Sequence, residues 1–100
     1  MEKWNYTLHL GKNLHEAIDS GDIKATAKCL IACYRELLNK LSDEDKEWFE
    51  FDINEAIERI SVFIDCIDRV GIEYEDQDEC DAYLEDFYDI CDDLRAWISI

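Results

Sequence analysis

Residues 76–98 read DQDECDAYLEDFYDICDDLRAWI, and this stretch decides the fold. Cys80, Tyr83, Leu84, Phe87, Ile90, Cys91, Leu94, Trp97 and Ile98 recur at the spacing of a helix with about 3.6 residues per turn, so all fall on one apolar face. The opposite face is a stripe of carboxylates formed by Asp78, Asp81, Glu85, Asp89 and Asp92, with Glu79, Asp86 and Asp93 beside it. Asp76 or Asp78 is placed to cap the helix, and further acids in the first turn suit the positive end of its dipole.

The same periodicity extends upstream. Ile53, Ala56, Ile57, Ile60, Phe63, Ile64 and Ile67 mark a middle helix ending at Gly71, which is expected as a left-handed C-cap with Ile72 in a Schellman contact. Two starts compete for it. Asp52 with Glu55 makes one capping box; Ser42 with Asp45 makes another, which carries Trp48, Phe49 and Phe51 into the helix or kinks before Asp52. Ile23, Ala27, Leu30, Ile31, Tyr34, Leu37, Leu38 and Leu41 mark a third helix, entered through Ser20-Gly21-Asp22. A shorter helix over about residues 5–19 carries Leu8, Leu14 and Ile18 but also Gly11, which costs roughly 1 kcal/mol in a helix interior. The short connections between helices favour antiparallel neighbours. The expected fold is all-α: a compact antiparallel bundle of three long helices plus a shorter N-terminal one, forming a single domain over residues 1–100.

Length and composition agree with one core. A chain of 100 residues that is 48% apolar and lacks proline is too hydrophobic for a disordered acidic tail. Its formal net charge of −16 nearly excludes nucleic acid as a direct ligand, because such binding needs Lys and Arg to neutralise phosphates. Five cysteines cannot all pair within one chain, and no CxxC or Cys/His zinc spacing occurs, so a reducing cytoplasm is the expected compartment. Met1 to Leu10 lacks the basic-then-apolar pattern of a signal peptide, and no apolar run approaches the roughly 18 residues of a membrane span.

Catalytic chemistry has little to stand on. His9 and His15 are six residues apart and so lie on different helix faces, and the Glu-x-x-His pairs of a di-metal carboxylate bundle are missing. The run Asp76-Gln77-Asp78-Glu79-Cys80-Asp81 is not a calcium loop, because Cys80 takes the fifth place and Asp81 replaces the sixth-position glycine. Cys29 and Cys33 stand one turn apart, but two thiols are too few for a metal site; Cys80 and Cys91 read as small core residues. No catalytic residue, cofactor or metal is expected, and the three Trp side chains read as core or interface.

Charge is the informative feature. Residues 51–100 hold sixteen acids and three arginines, net −13, against net −3 for residues 1–50. Eleven Asp or Glu and no cation lie between Arg69 and Arg95. Ordinary surface helices interleave signs to gain pairs worth about 0.2–0.5 kcal/mol each, and this segment forgoes them. Stripe neighbours are about 5–6 Å apart, similar to phosphates along a nucleic-acid strand. Glu58, Asp65 and Asp68 on the preceding helix broaden the surface. A purely solubilising face is the bland alternative.

A small, proline-free, acidic helical chain with Glu73, Glu75, Asp76, Asp78, Glu79, Asp81, Glu85, Asp86, Asp89, Asp92 and Asp93 crowded on one side resembles the phage-encoded DNA-mimic inhibitors, which include anti-CRISPR and anti-restriction proteins. It is also similar to the acidic four-helix immunity proteins of nuclease bacteriocins, although it lacks their tyrosine-and-proline recognition segment. The first resemblance implies a non-enzymatic inhibitor whose partner is a basic nucleic-acid-binding protein such as a nuclease or effector complex. Its contact surface would be Glu75, Asp76, Asp78, Glu79, Asp81, Glu85, Asp86, Asp89, Asp92 and Asp93, with Tyr74 and Tyr88, and also Tyr83, as shape contacts. The alternative is a helical interaction module, antitoxin-like or part of an assembly.

With net −13 on residues 51–100, added salt should raise the melting temperature read by circular dichroism, because screening relieves repulsion among unpaired carboxylates. A steady fall with salt would show instead that the acids are paired.

Overall fold

A computed structural model describes residues 4–100 in the order β1 (Tyr6–Leu8), α1 (Gly11–Ser20), α2 (Ile23–Lys40), α3 (Asp43–Val70), α4 (Asp76–Leu94) and β2 (Ala96–Ile98). Four helices dominate, as the periodicity predicts, and one short parallel ribbon joins β1 to β2.

The organising element is α2. Asp22 caps it by accepting the Ala25 backbone N–H at 3.0 Å, while Gly21 takes the left-handed conformation that ends α1 and turns the chain. This helix packs against α1, α3, α4 and β1, and buries Ala27, Leu30, Cys33, Tyr34 and Leu37 completely. Fully burying one such leucine contributes about 1.5–3 kcal/mol. The surrounding core takes Leu14 from α1, Ile53, Ile60, Phe63 and Ile67 from α3, and Cys80, Leu84, Phe87, Cys91 and Leu94 from α4.

Of the two competing starts for α3, Ser42 wins. Its hydroxyl accepts the Asp45 N–H at 3.2 Å. The Tyr6 hydroxyl completes the cap from outside the helix, accepting the Ser42 N–H at 3.1 Å and donating to the Asp45 carboxylate. Asp52 and Glu55 therefore lie within a continuous helix of 28 residues, about 42 Å long at 1.5 Å per residue, which accounts for the 44 Å long dimension of the molecule. The first fully buried residue of α3 is Ile53, and in the turns before it only Phe49 packs, partly buried, against the core. Trp48 and Phe51 stand 74% and 77% exposed there, and Trp4 and Trp97 are about half exposed, so of core or interface only an interface stays open to the three Trp side chains.

Two capping expectations fail. Gly71 has φ +83° but ψ 176°, which turns the chain outward into extended backbone; Ile72 is exposed and makes no Schellman contact. Neither Asp76 nor Asp78 caps α4; Asp76 instead accepts the Glu73 N–H at 2.7 Å and closes the preceding turn.

The ends of the chain overturn the helical expectation. Residues 6–8 form β1 rather than the first turns of a helix, and the last helix stops at Leu94 instead of continuing through Trp97 and Ile98. Arg95 takes φ +54°, a left-handed conformation that ends α4, after which Ala96–Ile98 pair with Tyr6–Leu8 in register. Helical spacing of Trp97 and Ile98 was coincidental: after the turn at Arg95, Ala96 is buried, Trp97 exposed and Ile98 partly buried, the alternation of a strand. Trp4 and Trp97 cover the ribbon with ring centroids 5.5 Å apart.

Gly11 is the first residue of α1 rather than an interior one. Helix α1 has no side-chain cap of its own; Glu36 from α2 serves in that place, accepting the His9 N–H with both oxygens at 3.0 Å and the Leu10 N–H at 3.4 Å. Burial pushes the Glu36 carboxyl up, but the backbone bond from His9, the pairing with Lys40 and the bond from Leu10 outweigh it and hold the group below the ordinary carboxylate value. A group depressed in the folded state contributes stability at neutral pH that is lost as pH falls through its folded value.

A methyl group at Gly11 would lie 2.4 Å from both Ile98 Cγ2 and the Ser99 carbonyl oxygen. Alanine is ordinarily the better helix former, yet here the ribbon must shift. Gly11→Ala is therefore expected to cost about 1–3 kcal/mol in urea denaturation, the range for overpacking. A stabilised variant would mean that the ribbon does not pack on α1.

Candidate functional site

Helix α4 holds nine carboxylates in 19 residues. Over a length of about 29 Å this is one per roughly 3.2 Å of axis, close to the ~3.4 Å per phosphate of one DNA strand. The fold leaves them outside. Asp78, Glu85, Asp89 and Asp92 point away from the buried face, Asp93 and Asp86 flank them, and all are exposed, as are Glu75, Glu79 and Asp81. Asp76 is partly covered. Ion pairs between described residues join Lys24 to Asp68, Lys40 to Glu36 and Arg59 to Glu55; none of these three uses an α4 carboxylate. Glu79 accepts from Tyr83 at 2.9 Å and Asp81 from Gln77 at 3.0 Å, which orients these two acids without neutralising them.

The three tyrosines separate. Tyr74, in the α3–α4 connection, is 96% exposed. Tyr88 is only 37% exposed, lies against Phe87 at 5.9 Å, and has its hydroxyl pushed up by burial and by nearby Cys33 and Cys91, so it belongs to the α2–α4 seam as much as to the surface. Tyr83 packs edge-on against Phe63 of α3 at 5.5 Å, and burial with the bond to Glu79 pushes its hydroxyl up to about 12. On α3, Glu58 and Asp65 remain exposed, whereas Asp68 is paired with Lys24.

Between α3 and α4 lies a cleft of about 300 Å³ that brings Asp52 and Glu55 opposite Asp86 and Asp89. Arg59 stands on its wall, bonded to Glu55 at 2.7 Å, and Tyr34 of α2 lies at its base. Tyr34 is 0% exposed, and its hydroxyl has no hydrogen-bond partner among the described residues. Burial, and after it the Asp86 carboxylate, push the phenol above its ordinary value. Leaving such a hydroxyl unsatisfied costs about 1–3 kcal/mol. Asp52, Glu55, Arg59 and Tyr34 were not among the residues that the sequence assigns to the surface. A tyrosine inside an apolar stripe was the available signal, since a buried phenol normally finds a partner.

The remaining groups offer no catalytic set. No three His, Cys, Asp or Glu side chains converge on a metal position among the described residues. All five cysteines are free; burial pushes Cys33 and Cys91 up to about 12 and Cys80 to about 11, which keeps these thiols protonated and poorly nucleophilic. No helix among the described residues is long and apolar enough to cross a membrane. No family model, curated protein or solved structure matches this chain.

Tyr34→Phe removes only the unpaired hydroxyl and keeps the ring on Phe87. It should leave unfolding free energy unchanged or raise it by up to about 1 kcal/mol. A loss larger than that would show that the hydroxyl is bonded in solution.

Proposed function

We propose that this chain is a non-enzymatic inhibitor that occupies the basic nucleic-acid-binding surface of a target protein, its α4 carboxylates standing where phosphates would lie. The observation that carries the reading is the run of nine carboxylates along α4, eight of them exposed and Asp76 partly covered, none of them in the three ion pairs found between described residues, with an axial charge density matching that of a nucleic-acid strand. In this reading consecutive helices run antiparallel, as their short connections favour, so that acids of α3 widen the negative surface. Tyr74 and Tyr88 add shape contacts at its margin, where charge alone gives no discrimination. The partner is a nuclease or effector of nucleic-acid defence, in the manner of the phage anti-CRISPR and anti-restriction proteins, met in a reducing cytoplasm that suits five free thiols.

Two exposed aromatics in the first turns of α3 favour a second reading. Exposed Trp48 and Phe51 are the large aromatic anchors of a helical interaction module, such as an immunity or antitoxin-like partner or an assembly subunit. Salt separates the two: an apolar interface persists at high ionic strength, whereas a phosphate mimic releases its partner.

Replacing Glu85, Asp89 and Asp92 together by Lys should abolish binding to the target and competition with its DNA or RNA, while the circular-dichroism spectrum stays helical, because all three side chains are exposed. Reversing Glu16, Asp19 and Glu44 instead should have a much smaller effect. A target that binds the α4 variant as well as the parent, or that binds this chain equally well with its nucleic acid already in place, rules the reading out.

A further inference from the structure

Four carboxylates line the cleft between α3 and α4, yet they are too dispersed to chelate an ion: no metal-holding group of His, Cys, Asp or Glu exists among the described residues. At about 300 Å³ the space is also far larger than a bare cation needs. An extended organic cation answers to both facts. The second observation is independent of the acids. Tyr34 lies at the base of the same cleft, 0% exposed, with an oxygen that no described residue bonds, and Asp86 on the α4 wall is the charged group acting most on it. A buried phenol oxygen beneath a ring of carboxylates is a place for a group that only donates hydrogen bonds.

We propose that this cleft receives an arginine side chain of the partner protein, its guanidinium between Asp52 of α3 and Asp86 and Asp89 of α4 with one N–H directed to the Tyr34 hydroxyl oxygen. The identity of the partner rests on the phosphate-mimic reading, whereas occupation of the cleft by arginine is measurable without any partner. Arginine fits better than lysine for two reasons. Its planar fork of donors addresses carboxylates on two walls at once, where an ammonium is a single point charge. Its flat, weakly hydrated face also suits a lining that includes Ile60, Ile90 and the Tyr83 ring. Arg59 does not fill the role itself, because it stands on the wall paired with Glu55 and leaves three acids for an incoming cation.

The test titrates N-acetyl-arginine amide into the full chain, followed by amide chemical shifts. Shifts should centre on Tyr34, Asp86 and Asp89. Asp86→Asn with Asp89→Asn should weaken binding about tenfold or more, as expected for losing charge-assisted bonds, and Tyr34→Phe about fivefold, as for one neutral acceptor. Asp78→Asn with Asp92→Asn removes the same charge from the same helix outside the cleft and should change affinity less than about twofold. N-acetyl-lysine amide and spermidine should bind more weakly than the arginine probe and be indifferent to Tyr34→Phe. Equal weakening by the two double variants, or a probe affinity that Tyr34→Phe leaves untouched, overturns the proposal and leaves the phosphate-mimic reading intact. A triple-lysine α4 variant that still binds the target would remove that reading while leaving a measured arginine site in place.

Discussion

The edge-on contact between Tyr34 of α2 and Phe87 of α4, with ring centroids 4.9 Å apart, is the point on which the rest of the molecule turns. Both rings are completely buried, and an aromatic pair of this geometry contributes about 0.5–1.5 kcal/mol beyond its area. Its larger consequence is orientation. With Phe87 held against α2, the buried face of α4 is fixed, and the carboxylates opposite it have nowhere to go but solvent. The same contact places Tyr34 in the lining of the cleft that α3 and α4 form between them. Core, acidic surface and cleft are thus three results of one packing arrangement.

Electrostatics works against this arrangement. Lys24, Lys40 and Arg59 are engaged with Asp68, Glu36 and Glu55, and none of these three pairs reaches the α4 carboxylates. Exposed pairs of this kind contribute about 0–1 kcal/mol each, too little to offset a net charge of −16. A helix that keeps so many like charges together is held by Cys80, Leu84, Phe87, Cys91 and Leu94, all buried. The acid that most clearly serves the fold is Glu36, which lies on α2, away from the stripe, and ties the entry of α1 to the central helix through backbone N–H groups. Protonating Glu36 therefore loosens that junction.

Legible in the sequence alone were the four helices, the break at Ser20-Gly21-Asp22 between α1 and α2, most of the buried faces of α2, α3 and α4, and the exposure of most α4 acids. Each is a local property: a 3.6-residue pattern or a cap is written in neighbouring residues and survives most tertiary arrangements. It left the start of α3 open between Ser42 and Asp52. The choice fell to Ser42, where the Tyr6 hydroxyl, more than thirty residues away, completes the cap. Only the tertiary structure decided the β1–β2 ribbon, because its two strands come from opposite ends of the chain and neither is stable without the other. It decided the meaning of Gly11, a local cost in the sequence and a necessary close approach to Ser99 in the fold. It also decided the cleft, since Asp52, Glu55, Asp86, Asp89 and Tyr34 belong to three helices whose side chains meet only after those helices pack. Periodicity tells which face of a helix is buried; which residues of a second and third helix then face one another is set by the fit of the core.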